Sequence, residues 1–335
     1  MKALVYSGPE TLKYTNVPDP VACDGEVIVR VESIGICGSD MHAFLGHDDR
    51  RPAPLILGHE AAGIVQGGQR AGERVTVNPL VTCGACAACK SGRDNICPDR
   101  QIISMEPRQG GFAELLAIPQ SNLVTVPDHV TLAKAALAEP IACGWHAVRE
   151  ARRILVAQDT PMRALVLGGG AIGLGAALSL AAQGITDVII VEPNSLRRDF
   201  LKHNCGQDAR EAAAIGEDAF FDIVIDGVGY AETRATASAR ARPGGVIAHI
   251  GLGQSEGGLD IRRMTLQEIT FIGTYTYTAE DFRQTAQAIF DGRLGALDWT
   301  ESRPLSDGLA TFADIRAGRT ASPKIILKPN LEMET

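Results

Sequence analysis

The stretch "MRALVLGGGAIGLGAALSLAAQGITDVIIVEPNSLRR", residues 162–198, decides half of the fold. "ALVLG" is a short apolar run with the length and composition of a buried strand. Gly168, Gly170 and Gly173 then satisfy G-x-G-x-x-G, with Ile172 inside the motif, and an Ala/Leu-rich helical stretch follows. "DVIIVE" reads as a second strand, and it ends on Glu192, nineteen residues after Gly173. A glycine motif alone is weak evidence. One that leaves a strand, opens a helix and is followed at this distance by an acid is a dinucleotide-binding βαβ unit. The first two glycines let backbone N–H groups approach a pyrophosphate at the helix N-terminus. The third lets helix and strand pack closely. Glu192 can accept hydrogen bonds from ribose hydroxyls, and its charge would repel a 2′-phosphate. The expected cofactor is therefore NAD, with NADP less favoured. Arg197 and Arg198 qualify this, because arginines can grip a phosphate; a solvated helix face is the plainer reading of both. "FFDIVIDGVG" (220–229), "GGVIAHIGL" (244–252) and "ITFIGTY" (269–275) continue an open parallel sheet.

Upstream lies different chemistry. "CGACAACKSGRDNIC", residues 83–97, places Cys83, Cys86, Cys89 and Cys97 in the pattern C-x2-C-x2-C-x7-C. The chain has eight cysteines and no N-terminal apolar leader, which points to a reducing, cytoplasmic setting and away from disulfides. Four thiolates in a Gly/Ala-rich loop suit one tetrahedral Zn2+. With four sulfur ligands no position is open to substrate, so that zinc is structural. "GICGSDMH" (35–42) and "LGHEAAG" (57–63) supply Cys37, His59 and Glu60, a mixed sulfur, imidazole and carboxylate set. About three protein ligands with an open position is the catalytic style of zinc. Taken singly, Cys37 and His59 read as core residues; together, ahead of a four-cysteine lobe, they read as ligands.

The order "GICGSDMH", "LGHEAAGIV", "AGERV", the cysteine lobe and the glycine motif resembles the zinc-dependent medium-chain dehydrogenases of the alcohol/polyol dehydrogenase superfamily. The likeness extends over nearly the whole chain. It implies an α/β fold: a β-rich GroES-like catalytic domain (1–140), an inserted Rossmann domain with a doubly wound parallel sheet (141–276), and a C-terminal segment (277–335) that completes the catalytic domain. It implies that Cys37 and His59 bind a catalytic zinc with Glu60 beside it, and that Glu139, in "AEPIACGWHAV", is the further ligand in the manner of the polyol branch. A carboxylate near a helix start is the alternative for Glu139, and packing is the plainer reading of its neighbour Cys143. Ser39 and His42 would pass the hydroxyl proton out, while Asp40 reads as structural. Val228, Gly229, Ile250 and Gly251 would lie near the cofactor.

The implied reaction is reversible oxidation of an alcohol or polyol, a sugar alcohol or its phosphate included, by NAD. A threonine dehydrogenase-like activity is the nearest alternative. A zinc-free quinone reductase or a non-catalytic NAD- and zinc-binding protein would have lost ligands that are present here. Thr276 stands where polyol dehydrogenases often carry an arginine, which counts against sorbitol itself. Arg50 or Arg51, in "FLGHDDRRPAP", could meet an anionic substrate group, or could belong to a solvated loop. The likeness also implies a homodimer or homotetramer. The net charge of -8 argues against nucleic-acid or anionic-membrane partners, and no apolar run reaches membrane-spanning length.

Overall fold

The computed structural model describes residues 1–155 and 161–330. The last five residues of the expected C-terminal segment, and five within the expected Rossmann domain, lie outside these. The chain divides into two compact units. One comprises Met1–Glu139, Thr278–Asp291 and the chain from Thr300 onward; the other comprises Pro140–Tyr277 and Gly292–Trp299.

The first unit is organised by one long strand, Glu26–Gly35. Its residues alternate between buried and half-buried over most of its length, the period-2 pattern of a strand with one face in a core. Along one edge it pairs antiparallel with Glu60–Gln66, from Ile28 to Gly35. The opposite edge is shared. Leu115–Pro119 pairs with Glu26 to Arg30, and Lys324–Lys328 pairs at Ile34 and Gly35. The core beneath includes Val29, Val31, Ile34, Leu57, Phe112 and Leu327, all at most 1% exposed. The strand's end therefore lies between the strand opened by Glu60 and the strand opened by Lys324.

The second unit holds a six-stranded parallel sheet. Its order is Asp208–Arg210, Asp187–Val191, Arg163–Leu167, Phe221–Asp226, Ala241–His249 and Thr270–Gly273. The chain winds outward from Arg163–Leu167 to one side and from Phe221–Asp226 to the other, so the topological switch point lies between those two strands. Phe221–Asp226 is buried throughout, as a parallel strand covered on both faces must be. The helix Ala171–Ala182 follows the glycine motif. A Cβ at Gly144 would lie 2.6 Å from the Ala176 backbone, so the Ala138–Ile154 helix packs closely against it.

Gly173 is the tightest of these contacts: a Cβ there would overlap the Gly168 carbonyl oxygen. Gly173→Ala is expected to destabilise the protein by about 1–3 kcal/mol, the usual cost of overpacking. Urea unfolding of the two proteins checks this; an unchanged midpoint would contradict the packing described.

Candidate metal and cofactor sites

Cys37 is the N-cap of the short helix Gly38–Phe44. Its own N–H donates to Asp40 Oδ2 at 3.0 Å. Asp40 thus caps, as its place in the sequence suggests, but its second oxygen reaches further. Oδ1 accepts from the Gly58 N–H at 3.1 Å and lies 3.5 Å from His59 Nδ1. Gly58 has φ +89, and a Cβ on it would overlap the Phe112 ring. Glycine is therefore required at the turn that delivers His59. Ser104 Oγ also lies 3.4 Å from His59 Nδ1. With Nδ1 engaged, Nε2 is the nitrogen left for a metal.

The Cys37, His59 and Glu60 ligand atoms all lie within 4.8 Å of one another. Glu60 is fully buried, and its Oε1 accepts from Lys324 Nζ at 2.6 Å. Lys324 Nζ also donates to the Ile36 carbonyl at 2.8 Å. Glu60 Oε2 is buried with no hydrogen-bond partner among the described residues. An orphaned buried carboxylate oxygen is costly unless a cation meets it. Electrostatics point the same way. Burial pushes the His59 ring toward neutrality, but Asp40 and then Cys37 outweigh it and hold its pKa well above the ordinary value. A sulfur, a nitrogen and an unpaired carboxylate oxygen fit zinc.

Glu139 is buried in the first turn of its helix, near enough for its charge to act on Lys324, but outside the close trio. Cys143 is buried. Ser39 and His42 stand three residues apart on the Gly38–Phe44 helix, Ser39 half-buried and His42 exposed.

Lys324 and Ser104 were not read from the sequence as parts of this site, and Arg51 was read only as a candidate contact for an anionic substrate. Arg51 is 3% exposed, donating to the Ser104 carbonyl at 3.0 Å and to Asp48 at 2.5 Å. Arg50 makes a two-pronged contact with Asp48 at 2.8 and 2.9 Å. The expectation that this pair could meet an anionic substrate is corrected for Arg51. Its guanidinium is a buried brace for the Ser104 turn.

In the lobe, Cys86 Sγ lies 3.5 Å from Cys89 Sγ, Cys97 Sγ 3.5 Å from Cys83 Sγ, and Cys83 Sγ 3.9 Å from Cys89 Sγ. Backbone N–H groups lower the Cys83 thiol to about 7, whereas burial and neighbouring sulfurs push Cys89 up to about 12. Four thiols at these distances form a second cluster able to hold a metal. Only Cys97 is buried, so this loop has little apolar core of its own.

In the parallel-sheet unit, Gly170 is the N-cap of the helix that carries Ile172 and Gly173. Glu192 turns back on the glycine loop, accepting from Gly169 N–H at 2.9 Å and from Asn194 N–H at 2.8 Å. Arg197 is half-buried, 3.8 Å from the Cβ position of Gly170, and its pKa is lowered by burial against the pull of Glu192. Arg198 donates to the Glu192 and Pro193 carbonyls and to Glu211. The solvated-face reading of these arginines is therefore corrected: Arg197 lies beside Gly170, and Arg198 is tied to the chain after the second strand and to Glu211.

Val228–Gly229 and Ile250–Gly251 come together, with a Cβ on Gly229 overlapping the Gly251 carbonyl. Asp226 holds both sides. Its side chain accepts from Val228 and Gly229, and its carbonyl accepts from Ile250 and Gly251. Arg234 donates to the Gly229, Gln254, Glu256 and Gly257 carbonyls. These two residues carried no motif signal.

Residues 23–128 match the family described as alcohol dehydrogenase GroES-like domain, and residues 171–291 match zinc-binding dehydrogenase. L-galactonate-5-dehydrogenase of Escherichia coli K12 is 31% identical over 311 residues, 88% of this chain and 89% of that protein. The chain belongs to the zinc-binding medium-chain alcohol and polyol dehydrogenases. Sorbitol dehydrogenase of Bacillus subtilis is 33% identical, with 83% of this chain and 82% of that protein covered. A zinc-binding dehydrogenase of Sinorhizobium meliloti solved with NADP bound superposes with a TM-score of 0.87 at 27% identity, covering 98% of this chain and 99% of that one. This dehydrogenase is thus an oxidoreductase with the GroES-like and Rossmann architecture of its relatives. No helix among the described residues is long and apolar enough to cross a membrane.

Asp40→Asn is expected to weaken metal binding at the Cys37/His59/Glu60 site about 10–100-fold, the usual effect of losing a carboxylate partner of a ligand histidine. Chelator competition checks it, with metal at the cysteine lobe as internal control.

Proposed function

We propose that this dehydrogenase oxidises a polyol or related secondary alcohol, reversibly, with NAD and with two zinc ions per chain. The observation that carries the reading is the close trio of half-buried Cys37 with buried His59 and Glu60, the last with an unpaired carboxylate oxygen. Bound zinc would supply Lewis acidity to the substrate hydroxyl, and nicotinamide would take up the hydride. The chain's own residues do the rest. Cys37 and His59 are the ligands, the latter oriented through Nδ1 by Asp40 and Ser104. Glu60 or Glu139 completes the set. Ser39 takes the hydroxyl proton and His42, exposed on the same helix, releases it to water; an imidazole suits that step near neutral pH. Cys83, Cys86, Cys89 and Cys97 hold the second, structural zinc.

The preference for NAD rests on Glu192. Two backbone N–H groups fix its carboxylate at the strand end, where a 2′-phosphate would meet a like charge. Arg198 is committed to carbonyls and Glu211, and Arg197 sits beside Glu192. The polyol class follows the sorbitol and galactonate enzymes it resembles. With Arg51 buried, a phosphorylated polyol gains no support from that residue.

Turnover with a panel of free polyols, polyol phosphates, threonine and simple alcohols tests the reading, each with NAD and NADP. The expected kcat/KM with NAD exceeds that with NADP about a hundred-fold, in line with the cost of like-charge juxtaposition. Higher kcat/KM with NADP would overturn the cofactor assignment. Cys37→Ala is expected to bind one zinc fewer per chain and to lose turnover. Full turnover in that variant would overturn the mechanism.

A further inference from the structure

Lys324 is 3% exposed, and its ammonium group has two recorded partners, the Ile36 carbonyl and Glu60 Oε1. The contact with Glu60 Oε1, at 2.6 Å, is a fully buried ion pair. Glu60 is held from both sides. Lys324 takes Oε1, while Oε2 lies against the Gly35 Cα, where any side chain would overlap it. Both contacts meet at the end of one strand: Glu26–Gly35 pairs Gly35 with Glu60 on one edge, and Lys324 opens the strand that pairs with Ile34 and Gly35 on the other edge.

We propose that Lys324 is a positioning residue that sets how Glu60 can meet the catalytic metal, by occupying Oε1, leaving Oε2 alone for the cation, and matching the carboxylate's charge. A carboxylate without a partner in a low-dielectric site is drawn onto the nearest cation, because that contact is the remaining way to offset its desolvation. With Lys324 in place, Glu60 is already neutralised, so it approaches the metal weakly and through one oxygen. Without Lys324, both oxygens and a full charge are available, and Glu60 becomes a standing ligand that takes the position substrate needs. This rests on Cys37, His59 and Glu60 being the catalytic metal site.

The test replaces the catalytic zinc with Co2+, whose visible absorption weakens as its coordination number rises. Wild type, Lys324→Met, Lys324→Gln, Lys324→Arg and the double variant Lys324→Met/Glu60→Gln are compared as folded, metal-loaded proteins. Absorption and the rate of Co2+ loss to a chelator are both recorded. Lys324→Met should lower the absorption and slow metal loss about ten-fold, within the range by which partners of metal ligands tune affinity. Lys324→Gln should do the same more weakly, and it serves if the methionine variant does not fold. Lys324→Arg should behave as wild type. Adding Glu60→Gln should abolish the effect, since the charge that is drawn to the metal is gone. A merely structural lysine would lower stability and speed metal loss, with Glu60→Gln giving no rescue. Either that pattern or wild-type behaviour of Lys324→Met and Lys324→Gln overturns the proposal. If Cys37→Ser leaves the Co2+ spectrum unchanged, the assignment of the metal site itself has failed, and that outcome is separate from the first.

Discussion

A buried negative charge must be matched, and the first unit is arranged around that requirement. Cys37, Glu60 and Glu139 bring acidic groups into a β-rich core where water does not reach Glu60 at all. Removing one partner from a buried ion pair typically costs about 3–5 kcal/mol, so each such group needs a fixed neighbour. Lys324 answers Glu60, and the Cys37 and Gly58 amides together with His59 answer Asp40. Burial alone would raise the Asp40 carboxyl. His59, Arg51 and the Cys37 amide instead hold it below the usual carboxylate range. What stays unmatched among the described residues is Glu60 Oε2, which lies beside Gly35.

The two units meet the same problem with different materials. The parallel-sheet unit buries Glu192, Asp222 and Asp226 apart from any lysine partner among the described residues. It uses backbone N–H groups, at Gly169 and Asn194 for Glu192 and at Val228 and Gly229 for Asp226. Fixing a carboxylate with amides leaves a permanent local charge suited to neutral hydroxyls. Fixing one with lysine leaves a near-neutral pair that a cation can still perturb. The first kind of charge suits a sugar ring and the second a metal.

Much of this was legible in the sequence wherever the signal was local. The glycine motif, its strand and its acid lie within 31 residues of chain, 162–192, and the parallel sheet follows from them. The cysteine lobe is legible for the same reason, since ligand spacing on a short loop is itself the geometry. Lys324 was not legible, because 264 residues separate it from Glu60 and nothing in "ASPKIILKPN" marks a charged group turned inward. Arg50 and Arg51 are identical neighbours, and only the Ser104 carbonyl, far along the chain, decides which of them is buried. Asp40 was legible as a cap and not as the partner of His59. The second role depends on the turn at Gly58 bringing another segment to it.

The shared edge of the Glu26–Gly35 strand has a consequence for biosynthesis. Leu115–Pro119 follows that edge closely in the chain and can zip onto it early, but the place beside Ile34 and Gly35 waits for a strand that begins only at Lys324. Until then a nascent chain carries Glu60 without its lysine. Contacts of such long sequence separation form late, after the loop-closure entropy of everything between has been overcome. The ligand loops are thus made early and left open. The Cys37, His59 and Glu60 cluster gains its lysine only from a strand made 264 residues after Glu60.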